Sequence, residues 1–119
     1  PAVNTAINKA LEDGALIVNY TGHGSMREWA QESILTLSMI GSWTNSNRLP
    51  LFVTATCEFG RHDDPTRVSG AERTVLNPNG GSIAIVTTGR PVNSGSNFLL
   101  NKAFYNNVFK KINGKTQAQ

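Results

Sequence analysis

The sequence contains a single cysteine, Cys57, among its 119 residues, which excludes any disulfide within the chain. Long hydrophobic runs are also missing, because the longest apolar stretches, residues 15–20 and 49–55, are far too short to span a bilayer. No arginine-rich stripe interleaved with aromatic residues is present, so we expect no nucleic-acid partner. The chain opens at Pro1 without a methionine or a leader-like segment, and we expect that it was cut from a longer protein.

The composition is that of a globular domain rather than a disordered segment, with 39% hydrophobic and 16% charged residues. Much of the net charge of +3 comes from lysines late in the chain: Lys102, Lys110, Lys111 and Lys115. Cations in the last turn of a helix favour its carbonyl end, and this explains Lys110 and Lys111.

Apolar periodicity and turn residues predict elements in the order α-β-α-β-α-β-α. The strands are apolar on both faces, which is typical of a parallel sheet covered by helices. We therefore predict an α/β fold, a three-layer α/β/α sandwich whose strands run parallel in chain order. Three strands make a thin sheet, so we expect a partial domain with further strands upstream. Helices are predicted over residues 3–13, 35–43, 69–76 and 98–112, and strands over 15–20, 51–56 and 82–88. Residues 25–34 show an irregular pattern, and the last helix is predicted to place five apolar residues near one face: Phe98, Ala103, Phe104, Val108 and Phe109.

Capping signals predict several helix ends. Gly14 and Gly114 are predicted to stop helices, and Thr36 is predicted to cap one. The pair Ser69 and Glu72 matches the capping-box pattern, in which each side chain bonds the backbone amide of the other residue.

Two chemically capable residues follow predicted strands. Ligands of open parallel sheets bind beyond the carboxyl ends of the strands. The single cysteine, Cys57, and one of the two histidines, His23, each stand in the first turn after a strand. Because these strands are predicted neighbours, we expect both residues to face one crevice, with loop 89–96 as a further wall.

A cysteine and a histidine placed in this way suit nucleophilic catalysis. An imidazolium lowers the pKa of a nearby thiol from about 8.5, and it later protonates the leaving amine. The backbone amides of Gly24 and Cys57 are candidates for an oxyanion hole, where losing one donor typically costs roughly 3–4 kcal/mol. Alone, His23 is equally well explained as a turn residue, and Cys57 as a small buried hydrophobe. Their coincidence favours catalysis.

Two blocks, ALIVNYTGHG and LPLFVTATC, resemble the caspase-like cysteine peptidases, in which one apolar strand ends in His-Gly and a later one in cysteine. Within that group the chain is similar to the gingipain family, through NYTGHGS, TATCEFGRHDDP, SGAE and NPNGGSIAIVTTGR. The resemblance covers nearly the whole chain. It implies that His23 and Cys57 are the catalytic pair and that Gly24 is the oxyanion glycine. It also implies a caspase-like fold whose upstream strands carry a further acidic residue and part of the substrate pocket.

More narrowly, the chain resembles the C-terminal signal peptidases of the type IX secretion system of Bacteroidetes. That resemblance implies protein substrates, namely the C-terminal sorting domains of secreted cargo, and other type IX secretion components as partners. It implies a secreted or cell-surface enzyme associated with the outer membrane, which passes its acyl group to water or to a lipopolysaccharide amine. We expect no cofactor. We also expect little or no activity from the isolated chain, because the pocket is incomplete.

Further polar residues lie in the same loops. Glu58 and Arg90 are candidates for substrate contact, with a solvated carboxylate and a surface ion pair as the alternative interpretations. His62, Asp63 and Asp64 show no known metal-ligand spacing, and Asp before Pro is typical of turns, so we predict no metal.

Other function classes fit the sequence less well. Gly24-Ser25-Met26 does not match the Gly-x-Ser-x-Gly elbow of serine hydrolases. Arg27 stands where a dinucleotide-binding motif needs its third glycine. A non-catalytic caspase-like domain, kept for binding or for assembly of the secretion machinery, stays open as the alternative.

Overall fold

The computed structural model describes residues 2–112 and 114–116, and it contains a parallel sheet with helices on both faces. In chain order the elements are α1 (Ala2–Asp13), β1 (Ile17–Thr21), β2 (Glu28–Trp29), β3 (Leu35–Thr36), α2 (Leu37–Ser42), β4 (Leu51–Ala55), α3 (Gly70–Val75), β5 (Ala84–Val86), α4 (Ser94–Val108), β6 (Lys111–Ile112) and β7 (Lys115–Thr116). None of the helices in the described part is both long and apolar enough to cross a bilayer.

The main sheet has the predicted direction and order. Its strands run parallel in the order β1-β4-β5, with Thr21 opposite Ala55 and Phe52 opposite Ile85. Helix α2 lies in the connection from β1 to β4, and α3 lies in the connection from β4 to β5. The predicted α/β fold with a parallel sheet is confirmed.

Alternate residues of the sheet face different helices. Tyr20 and Phe52 pack in one hydrophobic cluster with residues of α1, α2 and α3, among them Leu11, Ile40 and Ala71. On the opposite face, Asn101 of α4 accepts a hydrogen bond from Asn19 (3.0 Å) and donates one to Thr21 (3.3 Å). Helices therefore cover both faces of the sheet, as a three-layer sandwich requires.

An aromatic cluster holds the sheet to its loops. Trp29 is 2% exposed, stacks on Tyr20 with 4.5 Å between ring centroids, and lies 5.6 Å from the ring of Phe59. Phe59 is fully buried, and Gly70 makes room for it, because a Cβ there would overlap the ring. Full burial of such a ring stabilises the fold by about 1.5–3 kcal/mol. Phe59 therefore anchors the loop that follows β4.

Most predicted helix ends are confirmed. Gly14 ends α1 with a positive φ of 94°, a conformation that costs glycine little. The Thr36 side chain caps α2 by accepting the Met39 amide at 3.3 Å. Ser69 and Glu72 form both bonds of the predicted capping box at the start of α3.

The last helix was predicted with wrong limits and partly wrong faces. Asn93 caps α4 by accepting the Ser96 amide at 2.8 Å, so the helix begins at residue 94 instead of 98, and it ends at residue 108. Gly114 therefore lies between β6 and β7 and stops no helix. Phe98 and Phe109, which were predicted to pack inward, are 61% and 55% exposed. Polar Asn97 and Asn101 occupy the sheet-facing side, where an apolar pattern gives no signal.

Two other predictions were incomplete. Residues 25–34 were predicted to be irregular, but β2 pairs with β3 in an antiparallel hairpin that Gly24 extends by one bridge to Trp29. The third strand of the main sheet covers only residues 84–86 of the predicted 82–88. Strands of two or three residues are too short to show the alternation that predicts a strand, which is recognised over about four to eight residues.

Candidate active site

The ends of β1 and β4 lie side by side and carry the predicted pair. The Gly22 amide donates to the Ala55 carbonyl at 3.2 Å, which extends the strand pairing beyond β1. Two residues after Gly22 and one residue after Ala55, Gly24 packs so tightly on Thr56 that a Cβ on the glycine would overlap the Thr56 hydroxyl. His23 and Cys57 therefore flank one point of contact between the two loops.

The backbone at His23 is fixed from both sides. Its carbonyl accepts the Tyr20 hydroxyl at 2.7 Å and the Ala30 amide at 2.8 Å. Burial, with a smaller contribution from Glu32, raises the pKa of Tyr20, so its hydroxyl keeps the proton that it donates. The imidazole is exposed, on a turn whose backbone cannot swing freely.

A cavity of about 390 Å³ and a smaller one of about 210 Å³ lie along the hairpin beside this turn. The smaller cavity, next to the imidazole, is lined by His23, Gly24, Ser25, Glu28, Ala30 and Gln31. The predicted histidine thus stands at the wall of a space large enough for a substrate side chain.

The amides of Gly24 and Cys57 are available to a ligand. Gly24 and Trp29 form an antiparallel bridge whose hydrogen bonds come from their neighbours, so the Gly24 amide points away from the hairpin. Within residues 2–112 and 114–116, neither the Gly24 amide nor the Cys57 amide donates to a protein acceptor. Buried or half-buried amides without a partner are rare, and they are what an oxyanion hole consists of.

Cys57 is half-buried and contacts the third loop. Its thiol lies 3.6 Å from the Val92 carbonyl, which accepts a hydrogen bond from it. The loops are also joined by the amides of Glu58 and Gly60, which donate to Arg90 and Thr88 carbonyls at 3.4 and 3.0 Å. Loop 89–96 therefore lies against Cys57. No hydrogen bond joins the thiol to the His23 ring in the part of the chain that the structure describes.

Glu58 has a backbone conformation that is uncommon for its type. Its φ of 54° lies in the left-handed region, which costs a non-glycine residue about 1–3 kcal/mol. Its carboxylate is 3.1 Å from the Arg61 guanidinium, and both side chains are partly exposed. The chain therefore turns sharply just after Cys57. Contact between Glu58 and substrate stays a prediction.

Arg90 is engaged by Asp63. The guanidinium forms two parallel bonds with the carboxylate, one of them 2.9 Å long. This pairing lowers the pKa of Asp63 to about 2, so the pair is lost only as the pH falls from about 4 towards 2. Contact between Arg90 and substrate also stays a prediction, while the surface ion pair is what the structure contains.

The neighbouring carboxylate has a different role. Asp64 accepts the amide of Thr66 at 3.0 Å and its hydroxyl at 2.8 Å, as expected of a turn residue before proline. Within the described residues, no group of three histidine, cysteine, aspartate or glutamate side chains is arranged to hold a metal ion.

Replacing Asp63 by asparagine should make Cys57 more reactive. The variant loses the carboxylate charge that pairs with Arg90, and this pair joins loop 89–96 to the loop that contains Cys57. Without it, the Val92 carbonyl of loop 89–96 should be held less firmly against the thiol. Exposed ion pairs are weak, so we expect iodoacetamide to alkylate Cys57 at most about fivefold faster. Asp64→Asn is the matched control and should leave the rate unchanged. Equal rates for both variants would show that the ion pair does not hold the loop.

Sequence reasoning missed three residues of this site. Tyr20 carries a weak signal, because it alternates with Val18 on the core face of β1. Thr56 is fully buried, and its hydroxyl has no partner within the described residues, a state that no sequence pattern reports. Val92 acts through its backbone carbonyl, so its residue type gives no signal.

Comparison with known proteins places this geometry in context. A sequence model of peptidase family C25 matches residues 1–118. A complex of the pro- and mature domains of RgpB from Porphyromonas gingivalis has a similar fold, with a TM-score of 0.81, 24% identity, and coverage of 92% of this chain and 26% of that one. The Arg-specific cysteine proteinase gingipain R has a TM-score of 0.67 at 25% identity, over 93% of this chain and 28% of that one.

A further solved protease has a TM-score of 0.70 at 25% identity, over 80% of this chain and 21% of its own length. The chain therefore spans less than a third of each of these proteins. No curated protein sequence matches it significantly.

Proposed function

The chain belongs to peptidase family C25, and from this membership we propose that it is the C-terminal part of the catalytic domain of a cysteine endopeptidase. We call the longer protein that would contain it the parent protein. His23 and Cys57 are the proposed dyad. The observation that carries the proposal is the pair of amides, of Gly24 and Cys57, which have no acceptor among the described residues and lie beside the only thiol of the chain.

These groups supply the parts of a thiol acyl transfer. The Cys57 thiolate attacks the scissile carbonyl carbon, and the carbonyl oxygen takes up the negative charge between the amides of Gly24 and Cys57. His23 gives its proton to the leaving nitrogen as the C–N bond breaks, which leaves a thioester on Cys57. Water, losing a proton to His23, then attacks the thioester and releases the acid and the free thiol.

The proposed substrates are secreted proteins with a C-terminal sorting domain. The support is the resemblance of NYTGHGS and TATCEFGRHDDP to the type IX signal peptidases usually called PorU, together with the gingipain-like fold. In this proposal the parent protein works at the outer membrane beside other type IX components. A lipopolysaccharide amine in place of water would turn the same thioester into an amide.

The alternative is a caspase-like domain that no longer cleaves peptides. The observation that favours it is the thiol itself, which bonds the Val92 carbonyl and not the His23 ring. A peptide probe with a thiol-reactive group separates the two. An enzyme labels Cys57 much faster with the peptide probe than with iodoacetamide of equal intrinsic reactivity, whereas a scaffold shows no such preference.

Replacing His23 by alanine should stop turnover by the parent protein while Cys57 stays available to iodoacetamide. General acid–base catalysis contributes about 10²–10⁴-fold, and that factor is the expected loss in kcat. The matched control is His62→Ala, which removes the other histidine, one whose ring nitrogen is 3.1 Å from the nearby Gly60 carbonyl. Retention of near-normal turnover by His23→Ala would reduce His23 to a turn residue.

A further inference from the structure

Two neighbouring cavities lie along the hairpin between His23 and the start of α2. The small cavity beside His23 shares Ser25 and Glu28 with a larger cavity of about 390 Å³. The two cavities together are called the hairpin groove. The larger one is lined by Ser25, Arg27, Glu28, Thr36, Leu37 and Ser38.

The walls of the hairpin groove belong to well-fixed elements. Strand β2 pairs with β3 on one side and reaches Gly24 by a bridge on the other. Trp29, next to Glu28, is buried in the aromatic cluster. The Glu28 carboxylate accepts the Ser33 hydroxyl at 2.7 Å, and the Glu28 carbonyl accepts the Ser25 amide at 2.9 Å. The walls of the groove are therefore held in place by contacts within the fold.

The position of the groove identifies its occupant, on the basis of the proposed function. Cys57 retains the acyl half of the substrate, and His23 protonates the nitrogen of the half that leaves. The residues after the scissile bond therefore begin at His23 and extend along the adjoining wall, at about 3.3 Å per residue. We infer that the hairpin groove binds these residues and that Arg27 selects an acidic side chain among them.

Charge decides which side chain fits. Arg27 is exposed, and no carboxylate of the described residues lies within 4.0 Å of its guanidinium. Glu28 lines both cavities, already accepts Ser33, and lies nearer to His23 along the groove. Arg27 lines only the far cavity, so it meets the second or third residue after the bond. A guanidinium fork pairs best with a carboxylate.

The test uses the parent protein and polypeptides that span the junction before a sorting domain. The polypeptides differ only in having aspartate or lysine at the second and third positions after the scissile bond. The wild type should cleave the aspartate series with a kcat/KM up to about fivefold higher, mainly through KM. Arg27→Glu should reverse this order, and Arg27→Gln should abolish the difference. Arg73→Glu, the same charge change in the last turn of α3, should leave the ratio as in the wild type.

The outcomes separate the inference from the function on which it rests. If the polypeptides are cleaved and the ratio of kcat/KM between the aspartate and lysine series is the same in the wild type, Arg27→Glu and Arg27→Gln, the inference is wrong and the proposed function is unaffected. If the wild type cleaves the lysine series faster, the inference is also wrong, and Glu28 is then the residue of the groove that selects the side chain. No cleavage of any polypeptide, with no peptide-probe labelling of Cys57, overturns the proposed function and the inference with it. If Arg27→Glu does not fold, Arg27→Gln carries the comparison.

Discussion

Replacing Cys57 by alanine is expected to abolish cargo processing by the parent protein while the chain stays folded. The substitution removes the only thiol, and no other side chain of the site forms the covalent intermediate. Loss of the nucleophile from a group of residues that act together reduces kcat by roughly four to six orders of magnitude. The measurement is the appearance of cargo without its sorting domain, followed over time in the presence of either protein.

The fold control for this variant is direct. Cys57 is half-buried, and among the described residues its thiol makes one long hydrogen bond, to the Val92 carbonyl. Loss of the thiol should therefore change the free energy of unfolding by about 1 kcal/mol or less. An unchanged melting temperature with no processing supports the nucleophile. Normal processing by Cys57→Ala would show that the His23–Cys57 dyad assignment is wrong, and the non-catalytic interpretation of this domain would remain.

Replacing Gly24 by alanine should damage both stability and turnover. The added Cβ would overlap the Thr56 hydroxyl and lie 3.1 Å from the Glu28 carbonyl oxygen. Because Thr56 is fully buried and cannot move aside, we expect a loss of about 1–3 kcal/mol in the free energy of unfolding. The same displacement moves the Gly24 amide, the proposed oxyanion donor, and the expected cost is about 10²–10³-fold in kcat.

Two further variants test the cause. Gly89→Ala is the stability control, because a Cβ there would only touch the Gly60 carbonyl at 3.6 Å, an ordinary contact. Adding Thr56→Ala to Gly24→Ala removes the overlapping hydroxyl, so the double variant should regain part of the stability that each change costs separately. If Gly24→Ala melts like the wild type and turns over normally, the contact with Thr56 has no bearing on the site.

The sheet and the edge that carries His23 and Cys57 were predictable because their signals are local. Strongly apolar blocks bounded by turn residues predicted β1 and β4, and the direction rule for parallel sheets placed His23 and Cys57 at one edge. Ser69 and Glu72 predicted the start of α3 because a capping box is complete within four residues. Tertiary information was not needed for these features.

The features that could not be predicted from the sequence depend on contacts between residues that are distant along the chain. Residues 25–34 read as irregular, since a hairpin with two-residue strands has no period, and it forms because Trp29 is drawn into the core. The predicted inner face of α4 failed because Asn97 and Asn101 replace apolar residues against the sheet. The approach of Val92 to Cys57 involves a carbonyl that every residue type carries.

The stack of Tyr20 on Trp29 gives this site a built-in optical reporter. Trp29 and Trp43 are the only tryptophans of the chain, and they are 2% and 5% exposed, so folded protein should emit at short wavelength. Tyr20 lies 4.5 Å from Trp29, within range to transfer excitation energy, and its hydroxyl also holds the His23 carbonyl. Intrinsic fluorescence therefore reports directly on Tyr20, the residue that holds the His23 backbone in place. No dye has to be attached to Cys57, on which the proposed chemistry depends.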